Sequence, residues 1–305
     1  MLATEIDPRL LLLSHSSRTT LHCCPRKYQL QKIASTPHTK ENNVTLAFGA
    51  VVGLGIQCLL EGKSIRTTVL EMLLAWSLPD LYAEEERTKK SFFLAIFAVQ
   101  QFESLRNSTL VDYELAYFKG APAVELSFRI SLPGGFKYRG FVDVVLRHKT
   151  TGKLIVLEVK TTGAKVVTEA TYKNSGQALG YSLILDAIAP CESEYEVWYL
   201  VYMSSSQQYE ILSFRKHYSD RAFWIQELLM DVQRIQLYEE ASRYPSYGES
   251  CYDFFRVCSF YSNCQMSTNL LALPYDEDTM ADKNEYLLEL SLLDLVQSQL
   301  DRKDI

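Results

Sequence analysis

Two apolar runs separated by a polar turn occupy the middle of the chain. Residues 136–147 are rich in Val, Phe and Tyr, and residues 154–159 form a short, almost wholly apolar run. Between them, His148-Lys149-Thr150-Thr151-Gly152-Lys153 is polar and carries a glycine, so the pair predicts a β-hairpin. Residues 112–130 predict one or two strands before it, and residues 195–203 and 208–214 a further strand pair across Ser204-Ser205-Ser206. Helical spacing marks 45–60, 171–187 and 217–241. The stretch 64–107 reads as helical throughout, with apolar periodicity at 65–76 and 91–105 and charged residues 84–90 in between. Ser14-His15-Ser16-Ser17 is a cap ahead of a helix reaching Ile33, and residues 35–43 form a polar linker. After Asp282, the positions Leu287, Leu288, Leu292, Leu295 and Val296 predict an amphipathic helix. Strands interleaved with helices predict an α/β fold: a small mixed central sheet flanked by helices, with a helical insert at about 62–110 and a helical C-terminal lobe.

Charge refines this picture at one end. The chain of 305 residues carries a formal net charge of −6. Residues 276–305 hold nine acidic and three basic side chains, which accounts for that −6 and leaves 28 of each sign elsewhere. The boundaries this suggests are a main domain over 1–269 and an acidic amphipathic tail over 270–305. The tail has three open readings: docking on the domain, binding a partner, or shielding a basic groove by imitating DNA charge. A balanced body without a basic stripe disfavours tight nonspecific nucleic-acid binding in the absence of metal. No segment approaches membrane-spanning length, and residues 10–13 are too short and lack the basic flank of a signal peptide, so a cytoplasmic, non-membrane protein is expected. Seven cysteines in such a compartment favour thiols or a metal site over disulfides.

The candidate chemistry lies on the hairpin. Asp143 is a lone carboxylate in its apolar run, and Glu158 closes the second run with Lys160 two residues on. A carboxylate in a core strand is costly unless a cation or strong donors stand beside it. Residues two apart on a strand share a face, so Glu158 and Lys160 project together while Val159 points away. Asp143 on the neighbouring strand can meet Glu158 over a hard cation, and oxygen donors suit Mg²⁺ or Mn²⁺. Glu-x-Lys alone says little, since Glu61-Gly62-Lys63 repeats it at a helix end. Its context carries the weight: an apolar strand before, a partner strand with an acid, and a helix after it with Gln177 and Tyr181 one turn apart. Upstream, Gly49, Gly53 and Gln57 lie four apart on one helix face, which calls for close packing or close approach.

The Asp143…Glu158-x-Lys160 pattern resembles the PD-(D/E)xK nuclease superfamily. Gln177-x-x-x-Tyr181 resembles the additional motif of its RecB-type branch, which includes phage exonucleases, the AddB nuclease domain and CRISPR-adaptation nucleases. The resemblance spans roughly residues 14–264. It implies a restriction-endonuclease-like core, DNA as substrate, and Asp143, Glu158 and the backbone carbonyl of Val159 as ligands to Mg²⁺ or Mn²⁺. It implies catalytic roles for Lys160, Gln177 and Tyr181 as well. Glu125 matches an acid that often precedes the aspartate strand, and Gln57 stands where many relatives carry a metal-binding histidine. Cys24-Pro25-Arg26-Lys27-Tyr28 is similar to the start of the RecB-type fold, with Arg26 and Lys27 as candidate phosphate contacts.

Cys251, Cys258 and Cys264 lie within fourteen residues, and Cys24, or its neighbour Cys23, offers a fourth thiolate. Four thiolates suit a [4Fe–4S] cluster or zinc, and some RecB-type nucleases join chain ends in this layout. Buried free thiols are the other reading. Cys58 and Cys191 read as core, and Trp198, Tyr199 and Tyr202 as core aromatics that could instead stack on bases. The expected activity is exonuclease-like hydrolysis in recombination, repair or phage DNA processing, in a bacterial or phage-infected cell, with a helicase or recombination protein as a partner through the tail. The alternative is a catalytically weak, nuclease-like DNA-binding or assembly module.

Overall fold

A proline decides how the chain enters the fold. Strand β1 (Leu12–Leu13) leads into α1 (His15–Cys23) through Ser14. There, Ser17 N–H donates to the Ser14 hydroxyl while Ser14 N–H donates to the Ser17 hydroxyl, a reciprocal cap. The single helix expected up to Ile33 is two: α1 stops, Cys24 is extended at φ −160°, and α2 (Pro25–Ile33) begins. The Pro25 ring disfavours helical backbone at the residue before it, which is why the break falls at Cys24. The computed structural model describes residues 6–33, 43–189, 194–253, 256–261, 264 and 285–300, so the linker over 35–42, Cys191 and most of the acidic tail lie outside the described residues.

Asn43 caps α3 (Val44–Leu60) and Ser64 caps α4 (Ile65–Ala75). The expectation of helix throughout 64–107 is corrected at its centre. The charged run pairs as a hairpin of β2 (Glu84–Glu85) and β3 (Lys90–Ser91), with Lys89 at φ 50° in the turn, and α5 (Phe92–Ser108) follows. The segment before the central hairpin holds β4 (Tyr113–Leu115), a small pair β5 (Tyr117–Phe118) and β6 (Ala121–Pro122), and β7 (Val124–Ser131). Then come β8 (Lys137–His148), β9 (Leu154–Thr162), α6 (Gly176–Ile188), β10 (Glu194–Met203), β11 (Gln208–His217) and α7 (Tyr218–Glu240). A short pair, β12 (Tyr252–Asp253) and β13 (Arg256–Val257), precedes β14 (Leu288–Ser291) and α8 (Leu292–Leu300). The amphipathic helix expected from Leu287 therefore starts at Leu292, because Leu288–Ser291 is a strand.

The chain forms two compact units, residues 39–126 with 141–221, and residues 1–38 with 127–140 and 222–305. In the first, the sheet order is β11-β10-β9-β8, with β4 also on β8. β10 runs parallel to β9, which requires the crossover that α6 supplies, and the other pairs are antiparallel. Val144 and Leu146 of β8 and Ile155 and Leu157 of β9 pack with Phe48, Val51 and Ile56 of α3 and Ala98, Val99 and Phe102 of α5. Because side chains alternate along a strand, this leaves Asp143, Glu158 and Lys160 on the opposite face, the one that α6 covers. The fold is a mixed α/β architecture, a central sheet flanked by helices, and it positions these groups through that alternation.

Gly55 is where α3 meets α5. A Cβ there would lie 2.5 Å from Val99 Cγ2 and 2.9 Å from the Met72 sulfur. Alanine is the better helix former by about 1 kcal/mol, but forcing a methyl into a packed core costs about 1–3 kcal/mol. Gly55→Ala is expected to destabilise the protein by up to about 2 kcal/mol in urea unfolding; a midpoint above wild type would contradict this packing.

In the second unit α1 is held to α7 by a buried charge cluster. Arg18 Nε donates to Asp231 Oδ2 at 2.6 Å, and His22 Nε2 lies 2.8 Å from Asp231 Oδ1. Burial pushes the Asp231 carboxyl up, but His22 and Arg18 together outweigh it and hold its pKa below the ordinary value. β14 pairs in parallel with the Phe128–Ser131 end of β7, and β1 with the start of β8. Among the described residues no helix is long and apolar enough to cross a membrane.

Candidate active site

The β8–β9 ladder runs to Val144 opposite Leu157. At the next rung a side chain joins the strands: Asp143 Oδ2 accepts the Val159 N–H at 2.9 Å. Glu158, opposite Tyr199 on β10, is 1% exposed. Its Oε1 accepts from Lys160 Nζ at 2.5 Å and from Gln177 Nε2 at 2.8 Å. Its Oε2 is buried and has no hydrogen-bond partner among the described residues. An ionised carboxylate oxygen left in that state is expensive unless something else satisfies it.

Helix α6 completes the arrangement. Ser175 caps it by accepting the Gln177 N–H at 3.3 Å, which fixes the first turn. Gln177 Nε2 also donates to the Tyr181 hydroxyl at 2.6 Å, and that hydroxyl donates to the Phe141 carbonyl at 2.7 Å. Gln177 and Tyr181 thus bind Glu158 on one strand to the backbone of the other, two residues before Asp143. Gln177 and Tyr181, one turn apart on α6, are brought to Glu158 and to the Phe141 carbonyl respectively.

The electrostatics follow from burial and crowding. The Asp143 carboxyl is pushed up to about 7, first by burial and then by the Glu158 charge, against the pull of Val159 N–H and Lys160. Two carboxylates this close do not both ionise readily without a cation, and one proton belongs to the pair. Burial lowers the Lys160 pKa, but Glu158 and Asp143 more than offset it, so the ammonium stays charged.

Gln57 and Glu125 join from another side. Gln57 Nε2 donates to Glu125 Oε1 at 2.8 Å. Desolvation raises the Glu125 pKa, the Gln57 bond opposes that, and the Asp143 charge adds to it. Glu125 has φ 47°, a left-handed conformation that non-glycine residues seldom adopt. Such backbone costs roughly 1–3 kcal/mol and gathers at functional sites.

The donor set fits a small hard cation. Asp143 and Glu158 supply oxygens of high charge density, and one buried Glu158 oxygen lacks a hydrogen-bond partner among the described residues. Among the described residues no three His, Cys, Asp or Glu side chains converge as a metal-holding group.

Other expected residues lie elsewhere. Arg26 and Lys27 are on α2 in the second unit, where Arg26 donates to Gln29 at 2.5 Å, so they are not part of the carboxylate site within its own unit. Cys24, Cys251, Cys258 and Cys264 are all in that second unit. Burial raises the Cys264 thiol pKa, Arg26 opposes it, and the other three cysteines add to it, so the four are electrostatic neighbours. Among the described residues they do not form a metal-holding group. Tyr199 and Tyr202 are each 1% exposed, which settles them as core. Sequence reasoning missed Tyr172: its ring packs on Tyr199 with centroids 4.7 Å apart, and it is an electrostatic neighbour of Lys160. Its signal was weak, a lone tyrosine in the loop before α6.

A buried acid pair bridged between two strands, with a lysine two residues beyond and a Gln–Tyr clasp behind, lies on a restriction-endonuclease-like α/β fold. The model of the PD-(D/E)XK nuclease superfamily matches residues 12–265, and the chain belongs to that superfamily. No curated protein matches it. Of solved structures, one described as "Putative exonuclease" from Eubacterium rectale is 12% identical, with 90% of this chain and 95% of that chain covered and a TM-score of 0.49. The crystal structure of SSO0001 is 14% identical over 84% of this chain and 86% of that one, with a TM-score of 0.36. At these scores neither adds to the assignment.

Proposed function

We propose that the chain is a Mg²⁺- or Mn²⁺-dependent DNA nuclease of exonuclease type, within the RecB-type branch of its superfamily. The observation that carries this reading is Glu158: a fully buried carboxylate with one oxygen held by Lys160 and Gln177 and the other without a partner beside Asp143. Asp143, Glu158 and the Val159 carbonyl would hold the ion, with Glu125 and Gln57 in support through their mutual bond. A bound Mg²⁺ or Mn²⁺ supplies an acidified water and offsets charge on the phosphate. The Lys160 ammonium, fixed on Glu158, orients the attacking water or steadies the charge growing on the phosphate oxygens. Gln177 and Tyr181 keep Glu158 and the Phe141 backbone in register, and Asp143 gives up its proton when the cation enters. The Gln–Tyr clasp supports the RecB-type placement. Release of end label from DNA with Mn²⁺ tests the reading, and cleavage unaltered by EDTA sinks it.

A non-cutting DNA-binding or assembly module is the second reading. What favours it is Gln57, whose amide is engaged by Glu125 where a histidine ligand would serve a metal. Cys24, Cys251, Cys258 and Cys264 belong to the proposal as candidate iron–sulfur or zinc ligands, supported by their gathering and opposed by their present lack of convergence. Iron and zinc analysis of anaerobically purified protein decides this; a metal-free, colourless sample removes them. A protein partner for the acidic tail, in recombination or repair, rests on tail charge alone.

A further inference from the structure

The face of the sheet that carries the acid pair also carries an exposed ring. Along β8, Val142 and Val144 are fully buried, and Val144 packs against α3 and α5. Alternation sends Phe141 to the other face, together with Asp143. There the Phe141 side chain is 41% exposed, two residues from the acid. The register of Val144 opposite Leu157, carried three residues on, puts Phe141 level with Lys160. Its backbone is fixed, because the Tyr181 hydroxyl donates to the Phe141 carbonyl at 2.7 Å and Asp143 accepts the Val159 N–H. A ring on a held strand is a more rigid support for a ligand than a ring on a loop.

Two further observations say what covers it. Glu158 Oε2 is buried without a hydrogen-bond partner among the described residues, which calls for a cation, and a hard cation takes phosphate oxygens. A phosphate held there brings its nucleotide's base to the same face of the sheet. Outside residues 276–305, the chain carries 28 charges of each sign and no basic stripe, so phosphate contacts alone bind weakly. Affinity has to come from something salt does not screen, and stacking of bases on an aromatic ring supplies it. Other rings do not serve. Tyr199 and Tyr202 are core, and Trp198 lies level with Leu157, on the face packed by α3 and α5. Tyr172 already rests on Tyr199.

We propose that Phe141 is a stacking platform for the nucleobase beside the scissile phosphate, so that the site takes an unpaired DNA strand in preference to intact duplex. Inside a duplex each base is stacked on both faces, and a ring reaches one only after the base leaves the helix. This deepens the nuclease reading, on which it rests, by naming the form of DNA the site accepts.

Anisotropy of a fluorescein-labelled, mixed-sequence DNA strand, and of a blunt duplex of the same length, tests this in EDTA and again in Ca²⁺. Wild type is expected to bind the strand about tenfold more tightly than the duplex. Phe141→Ala is expected to weaken strand binding by about tenfold and to leave duplex binding unchanged. The slope of log Kd against log[salt] should not move, since no phosphate contact is lost. Phe141→Trp, with a larger π face, should bind the strand at least as tightly as wild type. Phe141→Leu keeps apolar bulk without a π face and should lose most of that tenfold; it decides if the alanine variant does not fold. Wild-type strand affinity in either folded variant, an equal loss on the duplex, or wild type that binds no strand in either buffer overturns the proposal. Failure of the nuclease reading looks different: strand binding that depends on Phe141, with no label released in Mn²⁺.

Discussion

Asp143→Asn is expected to make the metal-free protein more stable above neutral pH and to flatten its pH dependence. An aspartate in an unfolded chain titrates near 3.9, about three units below Asp143 in the fold. Between those values the folded state binds the extra proton, so stability is fully present below about pH 4 and is lost as pH rises through about 7. The penalty at pH 8 amounts to roughly 2–4 kcal/mol, shared with Glu158 as one titrating pair. Asparagine removes it and can still accept the Val159 N–H through its amide oxygen. Urea unfolding in EDTA at pH 4 and pH 8 measures the effect. The two proteins should converge at pH 4 and separate at pH 8, and Mn²⁺ should stabilise only wild type. An Asp143→Asn protein less stable than wild type at pH 8 would mean that the carboxylate is well solvated or already answered by the protein.

Lys160→Ala is expected to lower turnover by about 10²–10³-fold while leaving divalent-ion binding intact. The ammonium sits 2.5 Å from Glu158 Oε1 and competes with a cation for that carboxylate. Its removal should leave the Mn²⁺ affinity unchanged or tighter, not weaker. Calorimetric titration of Mn²⁺ alongside single-turnover cleavage separates the two effects. A variant that loses the ion as well would make Lys160 a structural brace for Glu158, and one that keeps full rate would remove it from the chemistry.

The hairpin and its acid set were legible because two strong local signals agree: a Gly-containing polar turn, and alternation that sends Asp143, Glu158 and Lys160 to one face while Val144 and Leu157 enter the core. Gln177 and Tyr181 were legible from one-turn spacing on the next helix. Other features depended on tertiary pairing. Residues 84–91 have no apolar period of their own and become a hairpin only by packing on α3 and α5. Leu288–Ser291 reads Leu-Glu-Leu-Ser, an alternation too short to tell strand from helix until its partner, β7, is known. The Gln57–Glu125 bond joins residues 68 positions apart, and the left-handed Glu125 has no sequence mark. The break at Cys24 was readable from Pro25 and was missed because the flanking segments both favour helix.

The central claim is that Asp143 and Glu158 hold a hard cation that makes this site cut DNA. Release of label from end-labelled DNA, by wild type and by Glu158→Gln, each in Mn²⁺ and in EDTA, tests it most directly. The account predicts release by wild type in Mn²⁺ alone and background in the other three reactions. Equal release by Glu158→Gln, or release by wild type in EDTA, would contradict it.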